Sequence, residues 1–379
     1  MLRNNILLVL WILVSIALLV FSFTQVDLAL TFFKVGFWQP IQDSLQHFGY
    51  LEHTLATEAY VGILIALYVL YFTTLYLVKQ NKLSRKMLVR IILGVTIVLV
   101  FSYNAFSYDM FNYIFDAKIV TQYHSNPYIH RGLDYGHDPM MGYMRYIERY
   151  YPYGPGWLAL TVPLSFIGFQ YFIVTFYLFK LLMAGSFLGS IFLIEKIAKK
   201  TKIISPLVAV AAFALNPLVL IECLVSSHND IVMLFFILLA LYYAVYEKYR
   251  QAILFYIISV AIKFATVFAF PLFFYRFFKK KQELFFDFLI MIMITAIVLA
   301  SFRINYQPWY LLYVLPFMSF RATKYYFFIP ITIIAFGSLL LYAIYIYFHN
   351  IDPSTSRMMG SLQNNQPPPP ILGQTCMQK

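Results

Sequence analysis

Long apolar segments are the feature that most restricts what this chain can fold into. A run of roughly 18 or more apolar residues is long enough to cross a bilayer as a helix. Such runs lie at 6–24, 57–78, 87–106, 170–194, 231–247, 283–302 and 325–348. Other apolar segments contain Pro or Lys or have an unsuitable length: 204–223, 251–275 and 307–320. The sequence therefore predicts an all-α, polytopic membrane helical bundle with about ten or eleven spans.

Composition and charge agree with a membrane protein. The chain is 61% hydrophobic and only 12% charged, which excludes a large soluble domain. Its net charge of +12 comes from short basic loops, so it does not indicate nucleic-acid binding. These loops are predicted to be cytoplasmic by the positive-inside rule, and they lie near residues 79–90, 196–202, 248–250 and 276–281. Most acidic residues fall in the alternate loops, so the polar groups are predicted to face outward.

Two regions depart from simple spans. The basic clusters at 248–250 and 276–281 are too close for two full crossings, which favours a helical hairpin that ends within the membrane near Lys263. The segment Gln307 to Pro316 reads as a second short inserted helix, with Pro in its first turn. We predict a membrane domain over 1–350 that contains short re-entrant helices. A Pro- and Gln-rich disordered tail is predicted to follow at 351–379.

The longest polar stretch, 107–155, opens with two acidic side chains beside an apolar segment. On a helix, Asp109, Asn112 and Asp116 are three and four residues apart, so they share one face. A carboxylate next to hydrocarbon is expected to have a raised pKa, which suits it to take a proton from a hydroxyl. Tyr113 adds a hydroxyl to the same region. The alternative is an ordinary helix end that lipid headgroups wet, and the choice between the two acids stays open.

Several basic groups further along the chain are suited to an anion. Lys263 lies in the middle of an apolar segment, where an anionic partner such as a lipid phosphate would offset its burial. Arg303 ends a predicted span, and its planar guanidinium suits phosphate, although an interfacial Arg is also common beside aromatic residues. The run His228-Asn229-Asp230 either contributes to a site or caps the helix that follows it.

No metal site is predicted. The histidines of the outer loop, with two nearby aspartates, match no standard spacing of metal ligands, and a solvated loop explains them better. The two cysteines, Cys223 and Cys376, form no ligand pattern either. We predict no cofactor, with a divalent metal left open as an alternative.

The order of the short motifs along the chain is more specific than any one of them. They are Asp109-Met-Phe-Asn-Tyr113, Asn126-Pro-Tyr128, Tyr153-Gly-Pro-Gly-Trp157, Asn216-Pro-Leu218, His228-Asn-Asp230, Lys263-Phe264 and Gln307-Pro-Trp-Tyr310. This set resembles the GT-C-type integral-membrane glycosyltransferases, in particular the bacterial polyprenyl-phosphate-mannose-dependent mannosyltransferases. The resemblance covers about residues 100–320.

The resemblance implies a reaction and a location. It implies inverting transfer of a mannose-like hexose from a polyprenyl-phosphate donor to a glycan or lipid-linked acceptor, at the outer face of a bacterial cell membrane. The catalytic base of the family carries over to Asp109, with Asp116 as the alternative. Two spans more than is usual in the family precede Asp109. A polysaccharide polymerase or ligase, and a transporter or flippase for an anionic lipid-linked substrate, are the competing interpretations.

The remaining site residues are expected to share the work of binding. We expect Lys263, Arg303 and His228 to hold the donor phosphate. The predicted substrate-binding residues are Asn112, Tyr113, Tyr153, Asn229, Asp230, Gln307 and Trp309.

Overall fold

The computed structural model describes residues 2–349 of the chain, and the predicted tail at 351–379 lies outside them. This part contains helices and connecting turns and no β-strand, so the all-α prediction is confirmed. The α-helices are α1 (Leu2–Phe23), α2 (Trp38–Leu51), α3 (His53–Lys79), α4 (Arg85–Val100), α5 (Asp109–Thr121), α6 (Pro155–Ile167), α7 (Phe172–Thr201), α8 (Pro206–Ala214), α9 (Pro217–Leu220), α10 (Asp230–Val245), α11 (Tyr249–Ile262), α12 (Gln282–Ile304), α13 (Leu315–Ser319) and α14 (Tyr325–His349).

Fewer helices than predicted are long and apolar enough to cross a membrane. Within residues 2–349 these are α1, α3, α7, α12 and α14, and the bent pair α8 with Pro217–Val225 would make a sixth. The estimate of ten or eleven crossings is therefore too high by this measure. Several of the other apolar segments form helices of only 10–17 residues, including α6, α10 and α11. The predicted bundle is present, but broken and short helices make up much of it.

A broken helix lies at the centre of the protein. Residues 208–234 are all buried, and they contain most of α8, all of α9 and the start of α10. The break falls at Pro217, where the side chain of Asn216 accepts a hydrogen bond from the backbone N–H of Leu218 at 3.0 Å. The axis bends there by 56°. Ile221–Val225 then forms a π-helical turn, a feature that is frequent at functional sites.

The predicted hairpin breaks at Lys263, as expected from the sequence. Helix α11 ends at Ile262, Lys263 is extended with φ −153° and ψ 128°, and a 3₁₀ helix runs over Phe264–Phe278. The two arms contact each other, and the hydroxyl of Tyr256 donates to the carbonyl of Val267 at 2.8 Å. The second short helix is also present, as a 3₁₀ helix over Pro308–Tyr313 with Pro in its first turn.

The polar stretch after α4 is folded against the bundle rather than extended. It contains α5, which packs on α6, and two 3₁₀ turns over Gly132–Tyr135 and Pro139–Gly142. An ion pair links the C-terminal part of this stretch to the loop after α1: Arg145 Nη2 lies 3.2 Å from Asp27 Oδ2. The Tyr108 hydroxyl donates to the same carboxylate at 3.1 Å. This arrangement places the start of α5 over the central broken helix.

Candidate functional site

A cavity of about 530 Å³ lies where α5, the Lys263 break and the 3₁₀ helix at 308–313 meet. Five of the residues predicted from the sequence line it: Asp109, Tyr153, Lys263, Gln307 and Trp309. Its wall has two parts. One is polar, and the other is formed by apolar residues of the 3₁₀ helix after Lys263 and of α12: Phe264, Ala265, Phe268, Ala296, Leu299 and Ala300. Such a cavity can hold a polar group at one end and a hydrocarbon at the other.

The two predicted acids do not share one pocket. Asp109 lines the cavity at the first turn of α5, and its backbone N–H donates to the Ser107 hydroxyl at 3.1 Å. Asp116 and Asn112 instead line a separate hollow of about 10 Å³. The side chain of Arg149 borders both spaces. Among the predicted pair, only Asp109 therefore faces a space that is large enough for a sugar.

Asp109 is the outer member of a chain of three ionisable groups. Its Oδ2 lies 3.4 Å from Nδ1 of His228, and Nε2 of His228 lies 3.3 Å from Oε2 of Glu222. His228 and Glu222 are fully buried, and the hydroxyl of Tyr342 donates to Glu222 at 2.9 Å. Both contacts of the imidazole are longer than a well-formed hydrogen bond, so charge attraction is the main link. His228 also stacks on Trp309, with ring centroids 4.1 Å apart.

The charges of this chain reinforce one another. Burial alone would lower the pKa of His228, but the carboxylates of Asp109 and Glu222 raise it to about 9. Burial would likewise raise the pKa of Asp109, yet His228, with Arg149 and Lys263, lowers it below the ordinary value. At neutral pH the site therefore holds a carboxylate beside an imidazolium.

Of the two acids, Asp116 is the one whose pKa is raised. Burial raises the pKa of Asp116 to about 7, opposed by the charge of Arg149 and assisted by that of Asp109. The expectation that Asp109 has a raised pKa is wrong, because the positive charges of His228, Arg149 and Lys263 outweigh the effect of burial.

Lys263 already has an anionic partner within the protein. Its ammonium lies 2.8 Å and 2.9 Å from the two carboxylate oxygens of Asp230, which is fully buried. The Lys263 side chain is 22% exposed, and it lines the cavity. Asp230 therefore does not serve mainly as a helix cap, and Asn229 makes no side-chain cap at the start of α10. The lipid phosphate expected as the partner of Lys263 is not needed to neutralise it.

Arg149 is the site residue that the sequence reasoning missed. It lines the cavity, and its guanidinium lies 5.0 Å from the ring of Tyr146. Among residues 2–349 it makes no ion pair with a carboxylate. The only signal in the sequence was an arginine directly before Tyr150-Tyr-Pro-Tyr-Gly, which by itself does not separate a site residue from an ordinary loop residue.

The other predicted residues fall into three groups. Tyr113 lies behind Asp109, and its hydroxyl is 3.5 Å from Oδ2 of Asp109. The same hydroxyl accepts a hydrogen bond from the backbone N–H of Asn229 at 3.4 Å. Both amide atoms of the Asn112 and Asn229 side chains are buried without a hydrogen-bond partner, and neither residue lines the cavity. The side chain of Arg303 is outside the part of the chain that the structure describes.

Two glycines bring Tyr153 close to the Lys263 break. The backbone N–H of Gly154 donates to the carbonyl of Ile262 at 3.2 Å. A Cβ atom on Gly154 would lie 2.0 Å from the carbonyl oxygen of Ala261, and one on Gly156 would lie 2.9 Å from its carbonyl carbon. Only glycine permits this approach of two backbones. The Tyr-Gly-Pro-Gly-Trp motif therefore fixes the wall of the cavity.

Within residues 2–349, no group of three or more His, Cys, Asp and Glu side chains is arranged to hold a metal ion. In the polar stretch 107–155, His130 lies 3.6 Å from Asp134, and this pair is half-exposed.

The comparisons with known proteins give one match. The family model described as "Alpha-(1->6)-mannopyranosyltransferase, N-terminal domain" matches residues 12–278. The chain has no match among curated proteins and none among solved structures. The matched residues include Asp109, Arg149, His228 and Lys263.

Proposed function

The chain belongs to the alpha-(1->6)-mannopyranosyltransferase family, and from this premise we propose that it transfers mannose from a polyprenyl-phosphate donor to an acceptor hydroxyl. It is a multi-pass membrane glycosyltransferase. The proposed product is an α-(1→6) linkage on a glycan or glycolipid acceptor. The proposed location is the outer face of a bacterial cell membrane, because the basic loops are predicted to be cytoplasmic and the cavity lies beside the acidic outer stretch.

The observation that carries the proposal is the position of Asp109, a carboxylate that lines the same cavity as the cations Arg149 and Lys263. In the proposed reaction, Asp109 takes the proton of the acceptor hydroxyl, and the oxygen bonds to the anomeric carbon of mannose. The bond from that carbon to the phosphate oxygen breaks, and its electron pair leaves with the polyprenyl phosphate. One displacement inverts the anomeric carbon, so an α product requires a β-linked donor.

Geometry favours Asp109 over Asp116 as the base. A general base must be within reach of the proton before its pKa matters, and Asp116 faces the small hollow on the other side of Arg149. The imidazolium of His228 keeps Asp109 ionised and ready to accept. We therefore assign to Asp116 no direct part in the displacement.

We propose that Arg149 is the main ligand of the donor phosphate and that Lys263 is a weaker one. Arg149 lines the cavity without an ion pair among the described residues, and its planar guanidinium can donate two hydrogen bonds to phosphate. Lys263 can approach the same phosphate, but it shares its charge with Asp230. His228 is buried between two carboxylates and does not line the cavity, so it is not placed to bind the phosphate as the sequence predicted.

The apolar wall of the cavity supports a donor that carries a lipid. Phe264 and Leu299 are exposed at this wall, at 63% and 51%, beside the small side chains of Ala296 and Ala300. Aromatic groups at the polar end, Tyr153 and Trp309, suit the faces of a sugar ring. We propose that the mannose lies at the polar end and that the first isoprene units lie along the apolar wall.

Mutation of each acid separately tests the proposal. The purified protein in liposomes is given radiolabelled polyprenyl-phosphate mannose and a mannoside acceptor. Asp109→Asn is expected to abolish transfer, whereas Asp116→Asn, the matched control on the same helix, is expected to retain it. Transfer by the wild type should also change little through pH 7, because the pKa of Asp109 is lowered. Activity that rises through pH 7 and is lost in Asp116→Asn would instead make Asp116 the base.

A further inference from the structure

A buried lysine lies outside the cavity and takes no part in the steps proposed so far. Lys180, on α7, is 1% exposed. Its ammonium donates to the carbonyl of Leu224 at 2.6 Å, to the carbonyl of Val225 at 3.0 Å and to the Ser102 hydroxyl at 3.1 Å. An ammonium has three donors, so all three are used. None of its neighbours among residues 2–349 is a carboxylate, which is unusual for a buried charge.

Within the described part of the chain neither carbonyl has a backbone N–H partner, because the central helix unwinds after Val225; apart from Lys180 they receive only long contacts of 3.3 Å or more, such as those from the Ser227 hydroxyl at 3.3 Å and 3.4 Å. In a continuous helix they would accept the N–H groups of His228 and Asn229. Here the N–H of His228 donates to the carbonyl of Glu222 at 3.0 Å, and the N–H of Asn229 points to the hydroxyl of Tyr113. Ser227, in the left-handed region at φ 57°, makes the turn. A cation at the carbonyl end of a helix is also favoured by the helix dipole.

The same ammonium contacts the chain that leads to Asp109. Ser102 lies just after α4, and six residues separate it from Asp109 at the start of α5. The hydroxyl of Ser102 also lies 3.4 Å from the carbonyl of Leu224. Lys180 therefore joins the segment before Asp109 to the segment before His228, and these two residues meet at 3.4 Å.

We propose that Lys180 is a positioning residue: its buried ammonium caps the carbonyls of Leu224 and Val225 and thereby holds His228 against Asp109. This inference rests on the proposed function, in which Asp109 is the base. Without the ammonium, the two carbonyls would regain partners by rewinding the helix, which would rotate His228 away from the carboxylate. Lys180 then acts on the chemical step and not on the binding of the donor.

The first test compares kcat and donor KM in the liposome assay described above. Lys180→Met, which keeps the length and removes the charge, is expected to lower kcat at least about tenfold, since loss of a buried charged hydrogen bond has effects of this order. The donor KM should stay within about threefold. Ser190→Ala is the matched control, because Ser190 is buried on the same helix and, among the described residues, its hydroxyl bonds to its own helix at the Ser186 carbonyl.

Ser102→Ala is a milder variant that keeps the ammonium and removes one acceptor. It is expected to lower kcat by about threefold, and the double variant should be no slower than Lys180→Met alone, because the two groups act as a unit. A wild-type kcat in Lys180→Met, or effects that multiply in the double variant, would overturn the inference. Should Lys180→Met fail to fold, an unchanged kcat in Ser102→Ala is sufficient to overturn it.

A spectroscopic readout separates this inference from the proposed function. Trp309 stacks on His228, and an imidazolium quenches indole fluorescence, so the emission of Trp309 reports the ionisation of His228. In Lys180→Met the pH midpoint of this emission is expected to fall, and an unchanged midpoint contradicts the positioning role. Asp109→Asn, assayed in the same series, tests the proposed function: transfer that survives in it overturns the base, whatever the Lys180 variants show.

Discussion

Replacing Glu222 with Gln removes one of the two carboxylates that hold the charge on His228. The pKa of His228 is raised from 6.5 to about 9, which corresponds to about 3 kcal/mol in favour of the imidazolium. Burial opposes this charge, so the two carboxylates together supply more than that net value. They lie at nearly equal distances, 3.4 Å and 3.3 Å. Each should therefore contribute about 2 kcal/mol, and the variant should have a midpoint below about 8.

The sign follows from the direction of the pKa shift. Because the folded pKa of His228 is raised, its ion pairs contribute stability that is complete below pH 6.5 and is lost as the pH rises through about 9. In Glu222→Gln the loss is expected earlier, between about pH 6.5 and 8. The alkaline limit of the transfer activity should move down with it, since Asp109 then loses its cationic neighbour.

Two measurements follow the change in Glu222→Gln. The first is the emission of Trp309 as a function of pH, corrected for the other three tryptophans with a Trp309→Phe variant. The second is the pH profile of kcat. Glu195→Gln is the matched control, because Glu195 also forms ion pairs, with Arg85 and Lys199, and does not line the cavity. An emission midpoint in Glu222→Gln that equals the wild-type value would refute the reasoning.

Two further predictions concern the cavity wall. Arg149→Met should raise the donor KM at least about tenfold, because it removes a charged phosphate contact; Arg131→Met, a loop arginine outside the cavity, should leave it unchanged. Equal KM values in both variants would exclude Arg149 as the phosphate ligand. Gly154→Ala should lower the free energy of unfolding by about 1–3 kcal/mol, because its Cβ would overlap the Ala261 carbonyl. Thermal unfolding in detergent measures this, and Gly142→Ala, which has open space, should match the wild type.

The sequence was sufficient for features that depend on local composition. Helix α3 is apolar enough over its length to be recognised as a span, and the helix end at Lys263 follows from a charge in an apolar run between two close basic clusters. The common face of Asp109 and Asp116 also follows from helical spacing. These features require no knowledge of which segments are neighbours in space.

Features that depend on the path of the backbone were not predictable. Hydropathy does not register the 56° bend at Pro217 or the π-helical turn after it. Asp109 and Asp116 share a helix face, yet they line two different spaces. Tyr146 and Arg149 line both of these spaces. Likewise, nothing in the sequence pairs Lys263 with Asp230, 33 residues away.

The ionisable groups around the cavity have a consequence for turnover in an energised membrane. They pair acidic with basic side chains: Asp109 and Glu222 flank His228, Asp230 contacts Lys263, and Arg149 lines the cavity. In the displacement, the proton that leaves the acceptor stays on Asp109 while the lipid phosphate gains one negative charge, so the total is unchanged. No charge needs to cross the bilayer in this step. Transfer is therefore expected to be electrically silent, and to proceed at the same rate in polarised and depolarised vesicles.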